Sequence, residues 1–338
     1  MEKLISITIP TYNRAKYLSV CLRYLIPQIK KFENKVEVII CDNASFDSTA
    51  DVVVRYSRET GNIKYIRNEK NLGYAGNQVK CIENATGKYI AILCDDDVYM
   101  DGLLDKMIEV ISKKDYSFIA LNYYSFYENP EKKIKKEFAP EKDVEFERAF
   151  DILNYPSVGH FSGYVFNSEL AKKALKISLS KYSMEYFEKM RGVLFDVAVR
   201  ATVSSELPSF FIGKRFLAAR APEIVDYDSL YHLCIDYYKY NLSIFKEGLT
   251  KKSDLEYRAK LVLDILPKAI ISNASFLDNK ELDKITKILT SYFKGHNKYD
   301  NLCYPLLKIV KLYPVKLIFR IIKILVKNIK RIVRWLKK

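Results

Sequence analysis

The feature that most constrains this chain is the alternation of strand-like and helix-like segments through roughly its first hundred residues. Short apolar runs typical of buried strands are separated by longer segments with apolar residues at helical spacing. The runs are LISITIP (4–10), KVEVIICDNAS (35–45), NIKYIRNE (62–69) and KYIAILCDDD (88–97). This order is that of repeated βαβ units. It predicts an α/β fold, in which a mainly parallel, Rossmann-like sheet is flanked by helices on both faces.

Polar residues cluster where these predicted strands end. Thr11, Tyr12 and Arg14 follow the first strand, Asp42 ends the second, and a run of three aspartates, 95–97, ends the fourth. In open α/β sheets, ligands bind beyond the carboxyl ends of the strands. The sequence therefore predicts a ligand site at this edge of the sheet.

The aspartate run is the most informative part of that edge. Three consecutive carboxylates repel one another and are costly to bury, so folding alone does not favour them. A divalent cation would resolve the conflict, because Mg²⁺ and Mn²⁺ prefer oxygen ligands. The run therefore predicts a metal site, and the alternative is a solvated acidic loop or helix N-terminus.

Four segments, in this order and spacing, resemble the signature of family 2 glycosyltransferases, which have the GT-A fold. They are ITIPTYNRAKYLSVCL, VEVIICDNASFDST, NLGYAGNQV and GKYIAILCDDDVYMDGLL. The resemblance is strong over about 1–110 and weaker over 150–215, and it is greatest to bacterial enzymes that build O-antigen, lipooligosaccharide or capsule. The sequence contains neither a phosphate-binding P-loop motif nor a G-x-G-x-x-G fingerprint, which argues against kinases and Rossmann dehydrogenases.

The resemblance implies roles for matching residues. Asp42 would accept a hydrogen bond from the nucleobase. Asp96 would be the main ligand of Mn²⁺ or Mg²⁺, while Asp95 would approach the ribose or the metal and would form a D-x-D pair with Asp97. The implied nucleotide-sugar site as a whole contains Pro10, Thr11, Tyr12, Arg14, Asp42, Asn71, Gly73, Asn77 and Asp95.

An inverting glycosyl transfer needs a general base for the acceptor hydroxyl. Members of the family often carry this base in a Glu-Asp pair on a helix of the second half. The corresponding stretch here, RGVLFDVAVRAT, holds one carboxylate, Asp196, which is the predicted catalytic base, with Glu185 and Glu188 as reserves. The alternative is that Asp196 forms an ion pair with Arg191 or Arg200 on its own helix.

Two histidines are further candidates. The resemblance places His160 on the acceptor side, and His232 could complete a metal site from a late loop; either could instead be structural. The Q-x-x-R-W motif of processive relatives is missing from the sequence, which favours the addition of a single sugar.

The net charge of +15 is concentrated at the carboxyl end. Eleven Lys or Arg and no acidic residue occur from Lys308 onward, leaving 15 − 11 = +4 for the rest. Within 316–338 the basic residues recur three or four positions apart beside an apolar face that includes Trp335. This pattern predicts a basic amphipathic helix on an anionic membrane surface. Packing on the protein body is the alternative; nucleic acid is not the expected partner.

The start of the chain and its cysteines suggest a compartment. MEKLISITIP shows no signal peptide, no uncharged apolar stretch is long enough to span a membrane, and the six widely spaced cysteines form no C-x-x-C pair. Buried thiols in a reducing cytoplasm are expected. The predicted location is therefore the cytoplasm, peripheral at the inner face of the cell membrane.

These predictions define domains and a function. Residues 1–220 are expected to form the GT-A domain, with a nucleotide-sugar half (1–110) and an acceptor half (111–220). Residues 221–307 are expected to be helical, and 308–338 to bind the membrane. The predicted activity is single, inverting, metal-dependent sugar transfer, from a UDP-sugar by preference, to a lipid-linked glycan of a bacterial surface polysaccharide. A nucleotidyltransferase and a non-catalytic, membrane-docked binding protein are the alternatives.

Overall fold

A computed structural model describes residues 3–134, 139–156, 158–190, 192–221, 237–273 and 279–311. The chain divides into two compact units, Met1–Ile224 and Val225–Lys338. The segment 316–338, predicted to bind a membrane, and His232 lie outside the described residues.

The first half of unit 1 has the predicted alternation. Its strands lie side by side in the order β3-β2-β1-β4, and all three neighbouring pairs are parallel. The elements are β1 (Ile5–Thr11), α1 (Ala15–Lys31), β2 (Val36–Asp42), α2 (Thr49–Ser57), β3 (Ile63–Arg67), α3 (Gly73–Asn84) and β4 (Tyr89–Ile92). Strand order changes direction at β1, which pairs with β2 on one side and β4 on the other.

Burial explains why these segments form these elements. Ile5, Ile7 and Ile9 of β1 are fully buried, as expected for a central strand covered on both faces. Helix α1 continues four residues past Pro27 to Lys31. Ile29, in that last turn, is fully buried in the same core. The burial of apolar surface thus outweighs the hydrogen bond that proline removes.

The second half of unit 1 extends the sheet with both strand directions. The full order is β3-β2-β1-β4-β8-β6-β9-β5, with β7 paired to β9. The pairs β4–β8, β6–β8, β5–β9 and β7–β9 are antiparallel, whereas β6–β9 is parallel. The elements are β5 (Val98–Tyr99), α4 (Leu103–Lys113), β6 (Phe118–Phe126), β7 (Val144–Phe146), β8 (Tyr164–Asn167), α5 (Ser168–Lys181), α6 (Met184–Lys189), α7 (Leu194–Val203) and β9 (Ser209–Arg220).

The prediction of a mainly parallel sheet therefore holds for β1 to β4 only, and the sheet as a whole is mixed. A 3₁₀ turn, Ala149–Asn154, follows β7. The mixed sheet arises because β7, β8 and β5 are short strands whose direction is set by their partners in the sheet. Their own sequences show little periodicity.

Strand β9 positions the end of unit 1 at the sheet edge of interest. It is twelve residues long, eight of its residues pair with β6, and the register shifts between Leu121 and Tyr123. Val98 of β5, which directly follows the aspartate run, pairs with Ala218 of β9. This pairing brings the last residue of β9, Arg220, beside that run.

The described part of unit 2 is helical, as predicted. It contains α8 (Tyr237–Lys246), α9 (Lys252–Asn273), α10 (Asn279–Phe293), a π-helical turn (Tyr299–Cys303) and α11 (Tyr304–Ile309). Its own core contains Leu263, Leu266, Leu289 and Phe293. None of the helices within the described ranges is both long and apolar enough to cross a bilayer.

We expect Gly87→Ala to lower the free energy of unfolding by about 1–3 kcal/mol, in the range of other overpacking changes. A Cβ atom at Gly87 would lie 2.7 Å from the backbone nitrogen of Ser6 and 2.8 Å from the carbonyl carbon of Ile5, so β1 and the turn before β4 would have to separate. Urea unfolding measures the change. Gly61→Ala is the matched control, since no atom lies within 4 Å of its added Cβ. Equal effects of the two changes would contradict the close approach.

Candidate active site

The aspartate run lies where β4 ends, beside the end of β1. Thr11 Oγ1 donates a hydrogen bond to Asp95 Oδ2 at 2.7 Å. The guanidinium of Arg14 lies between two carboxylates, with Nε 3.0 Å from Asp95 Oδ1 and Nη2 2.5 Å from Asp96 Oδ2. The structure thus brings together four residues predicted for one site. Their position, where the strand order changes direction, is the usual ligand position in open α/β sheets.

This pair of carboxylates carries more negative charge than its surroundings compensate. Burial raises the pKa of Asp95 to about 7, with the charge of Asp96 adding to the effect and that of Arg14 opposing it. Burial also raises the pKa of Asp96, together with the charge of Asp97. One arginine therefore only partly neutralises the pair, and the site favours a further cation.

Asp97 has a different environment from its two neighbours. Its Oδ2 accepts hydrogen bonds from His160 Nε2 and Ser162 Oγ, both at 2.5 Å, and its Oδ1 accepts one from the backbone N–H of Arg220 at 2.8 Å. Burial alone would raise the pKa of Asp97, but the charge of His160 and these hydrogen bonds lower it. Asp97 is therefore a fully engaged structural carboxylate.

These contacts decide which aspartates fit a divalent metal. In the described residues, no three His, Cys, Asp or Glu side chains are grouped as ligands of one ion. Asp95 and Asp96 fit such an ion, because they are adjacent carboxylates whose pKa values are raised by burial first and by neighbouring negative charge second. Mg²⁺ and similar ions often take one or two carboxylates and complete their shell with water and phosphate. Both oxygens of Asp97 already accept hydrogen bonds from the protein, and its predicted role as a third ligand stays a prediction.

His160 lies at the site through its contact with Asp97. Burial lowers its pKa, but the charges of Asp97 and Asp96 and the hydrogen bond to Asp97 outweigh this, so the net shift is upward. Its ring also packs on Tyr123, with centroids 5.0 Å apart. The predicted acceptor contact of His160 stays a prediction.

Asp42 sits at the end of β2, directly across from Thr11 in the sheet register. Its side chain is fully buried and accepts hydrogen bonds from the backbone N–H of Ser45 at 2.9 Å and from Tyr65 Oη at 2.5 Å. Arg67 Nε lies 3.7 Å away. Asp42 thus shapes the β2–α2 turn from within. Its predicted hydrogen bond to a nucleobase stays a prediction.

The segment between β3 and α3 is held by a network of asparagines. Asn43 Nδ2 donates to Asn71 Oδ1 (2.7 Å) and to the carbonyl of Gly73 (2.9 Å). Asn68 Nδ2 lies 3.0 Å from both Asn43 Oδ1 and Asn77 Oδ1. Asn71, Gly73 and Asn77, predicted to flank the donor, therefore fix the shape of this loop by contacts within the protein.

The predicted catalytic base, Asp196, is enclosed in the protein. It is 3% exposed on α7 and accepts hydrogen bonds from Arg200 Nε at 2.9 Å and from Ser178 Oγ. Arg200 is itself 4% exposed. The geometry therefore supports the alternative weighed for Asp196, an ion pair with Arg200. A buried, paired carboxylate is poorly placed to reach an acceptor hydroxyl.

Glu188, one of the reserves, is exposed and lies next to the asparagine-held loop. Its Oε1 accepts a hydrogen bond from the backbone N–H of Ala75, in the first turn of α3, at 2.7 Å, and its carboxylate packs against Gly73. Between these two residues is Tyr74, whose phenol is near enough to Asp95 and Asp96 to interact with their charges. Glu188 is therefore a carboxylate at the border of the site. Glu185 is exposed on the same short helix, α6.

Comparison with known proteins decides the family. The model of glycosyl transferase family 2 matches residues 6–174, which is half of the chain. The chain belongs to glycosyltransferase family 2.

Curated relatives of this family 2 chain include bacterial glycosyltransferases. Glycosyltransferase GlyG of Streptococcus pneumoniae is 27% identical over 129 residues, 38% of this chain and 42% of GlyG. The Escherichia coli UDP-Glc:alpha-D-GlcNAc-diphosphoundecaprenol beta-1,3-glucosyltransferase WfgD is 31% identical over 122 residues, 36% of this chain and 46% of WfgD. These matches span less than half the length of either relative. The Campylobacter jejuni GalNAc(5)-diNAcBac-PP-undecaprenol beta-1,3-glucosyltransferase is 25% identical over 323 residues, 87% of this chain and 100% of that protein.

Solved structures confirm the predicted GT-A fold of this family 2 chain. The crystal structure of Staphylococcus aureus TarS 1–349 has a TM-score of 0.63 at 16% sequence identity, covering 91% of this chain and 90% of that one. At this identity the likeness concerns the fold alone.

Sequence reasoning missed three residues that build the site of this family 2 chain: Asn68, Ser162 and Arg220. Arg220 donates from its backbone to Asp97, and its Nε lies 3.3 Å from the carbonyl of Asp96. A sequence signal existed for two of them, because Asn68 and Arg220 stand at the ends of apolar strands. Ser162 lies in a short 3₁₀ turn without such a pattern.

We expect Asp95→Asn to stabilise the metal-free protein at pH 8 by about 3 °C or more in melting temperature. The folded-state pKa of Asp95, about 7, exceeds the ordinary value of 3.8, so the unfolded state loses this proton first as pH rises. Wild-type stability should therefore fall between about pH 4 and 7, and the amide should remove that fall. Thermal melts in EDTA from pH 5 to 8.5 measure it. Asp101→Asn, at a side chain that is 85% exposed, is the control. A pH-independent difference would contradict the assignment.

Proposed function

We propose that this chain transfers a single sugar, with inversion, from a nucleotide-sugar to a lipid-linked glycan during the synthesis of a bacterial surface polysaccharide. A UDP-sugar is the preferred donor. The observation that carries the proposal is the incompletely neutralised pair Asp95 and Asp96, held by Arg14 at the point in a family 2 sheet where the strand order changes direction.

The donor side follows from the chemistry of these three residues. A guanidinium binds phosphate as readily as carboxylate, so Arg14, 40% exposed, can exchange an aspartate for the diphosphate of a donor. Asp96 is the more accessible of the two carboxylates, at 27% exposure. When bound by Asp95 and Asp96, Mn²⁺ or Mg²⁺ would neutralise charge on the departing nucleoside diphosphate.

The acceptor side is supported by the relatives. The Escherichia coli and Campylobacter jejuni proteins are named for acceptors carried on undecaprenyl diphosphate. The basic segment 316–338 suits attachment of this chain to the anionic inner face of the cell membrane, where such a lipid carrier is accessible.

The general base of this proposal is Glu188 in place of Asp196. Glu188 is exposed and packs on Gly73, one residue from Tyr74, which interacts with the metal-binding carboxylates. It would accept the proton of the acceptor hydroxyl as the new glycosidic bond forms. Asp97 and His160 would hold the far side of the aspartate run in place.

We expect a nucleoside diphosphate to raise the melting temperature of the protein only when Mn²⁺ is present, because a ligand of the native state stabilises it by mass action. Thermal-shift titration with UDP, GDP, dTDP and CDP, each with and without Mn²⁺, measures this and identifies the donor class. UDP should give the largest shift. Asp96→Asn should abolish the metal-dependent shift, whereas Asp101→Asn should retain it. If no nucleotide shifts the folded wild-type protein, the proposal fails in favour of a non-catalytic binding role.

We expect Glu188→Gln to lower kcat about 100-fold or more while nucleotide affinity stays unchanged, because the amide cannot accept the proton. Release of nucleoside diphosphate, with GlcNAc-diphosphoundecaprenol as test acceptor, measures it.

Asp196→Asn should behave in the opposite way. It should lower the free energy of unfolding by about 3–5 kcal/mol, because the buried guanidinium of Arg200 loses the opposite charge of Asp196. Activity per folded molecule should stay near that of the wild type. The base assignment is wrong if Glu188→Gln retains full activity, or if Asp196→Asn folds normally and is inactive.

A further inference from the structure

Two aromatic side chains project together from the edge where β1 and β2 end. Tyr12, directly after β1, is 39% exposed, and Phe46, in the β2–α2 turn, is 84% exposed. Asp42, the last residue of β2, is fully buried only four positions before Phe46. A phenylalanine exposed to this degree gains little free energy from folding. Its position beside a polar site makes it a candidate contact for a ligand.

The backbone that presents these rings is strained and tightly held. Asn13 and Ala44 have φ values of 53° and 65°, in the left-handed region that non-glycine residues seldom adopt. Strained residues of this kind persist only where the surrounding structure fixes them, and they concentrate at ligand sites.

Hydrogen bonds between the two turns provide that fixation. The backbone N–H of Phe46 donates to Asn13 Oδ1, and that of Asn13 donates to Ser45 Oγ, each at 2.8 Å. The backbone N–H of Ala15 donates to Asp47 Oδ2 at 3.0 Å. Hydrogen bonds therefore join the β1–α1 and β2–α2 turns and hold the backbone of Phe46 in place.

The two rings form a corner. Their centroids are 6.4 Å apart and their planes meet at 85°, an edge-to-face arrangement. A flat heterocycle can stack on the face of one ring while its edge contacts the other. An aromatic corner of this shape suits a nucleobase better than a flexible alkyl chain, which needs no planar face.

The short sequence separation between Tyr12 and Arg14 indicates that a nucleotide is the ligand of this corner. Tyr12 is two residues from Arg14, the proposed partner of the diphosphate, and Thr11, the residue before Tyr12, contacts Asp95 directly. A base at the corner and a diphosphate at Arg14 can thus belong to one nucleotide. We propose that Phe46 forms, with Tyr12, the stacking wall of the nucleobase subsite, and so helps to determine donor affinity. This inference rests on the proposed function.

The test compares binding of a whole nucleotide with that of its diphosphate part. Calorimetry with Mn²⁺ would measure the nucleoside diphosphate that the wild type binds best and, separately, inorganic pyrophosphate. Phe46→Ala should weaken nucleotide binding about tenfold, as expected for loss of one base–aromatic stack, and leave pyrophosphate binding unchanged. The matched control is Val54→Ala, at a 51% exposed residue of α2, which should change neither.

Two further variants show that the effect comes from the base. Tyr12→Ala and Phe46→Ala combined should lose less affinity than the sum of the single losses, because both rings contact one base. Phe46→Trp in a Trp335→Phe background, which removes the native tryptophan, gives a local fluorophore. Its emission should respond to the nucleotide and stay constant with pyrophosphate.

The outcomes separate the two proposals. If the wild type binds a nucleotide and Phe46→Ala binds it equally well, the stacking role is overturned while the proposed function stands. If Phe46→Ala weakens nucleotide and pyrophosphate equally, the residue acts on the loop and not on the base, which also overturns the role. If the wild type binds none of the four nucleotides, the proposed function fails, and the base subsite fails with it.

Discussion

The structure of unit 1 depends on how three consecutive carboxylates are accommodated at the end of one buried strand. Side by side they would repel one another, and the fold separates them by giving each a different partner. Asp95 contacts Thr11, the last residue of β1, and Arg14, which follows β1. Arg14 also forms an ion pair with Asp96. Asp97 accepts hydrogen bonds from three residues of the second half of unit 1: His160, Ser162 and Arg220. The aspartate run therefore adds side-chain contacts between the two halves of the sheet, next to the pairing of β4 with β8.

This division of partners assigns different tasks to adjacent residues. The charge of His160 and the hydrogen bonds to Asp97 stabilise its ionised form and lower its pKa. Asp95 and Asp96 have raised pKa values because one shared arginine does not offset burial and mutual repulsion. The fold thus retains an unfavourable charge that a cationic ligand can relieve. A cation that neutralises this charge binds the native state and thereby stabilises it.

The same contrast separates two carboxylates in the second half of unit 1. Asp196 is buried on α7 and accepts hydrogen bonds from Arg200 and Ser178, so access to it is closed. Glu188 stays exposed on a short helix that reaches the start of α3. Sequence alone favoured Asp196, because an acidic residue among apolar neighbours is unusual. In the structure, burial and the pairing with Arg200 account for that pattern, while the catalytic role of Asp196 stays a prediction.

The sequence by itself determined the first half of the fold and the position of the site. The apolar runs and helical periodicity of residues 4–97 are local properties, and each element there is decided mainly by its own side chains. The carboxyl ends of parallel strands meet at one edge, so Thr11, Arg14, Asp42 and the aspartates could be placed together from their order alone. The tertiary structure decided the rest: the mixed sheet of the second half, the engagement of Asp97 by Arg220, and the contact of Glu188 with Ala75. Asp97 and Arg220 are 123 residues apart, and Ala75 and Glu188 are 113 apart. Contacts over such separations depend on strand direction and register, which short strands take from their neighbours and do not encode in their own sequences.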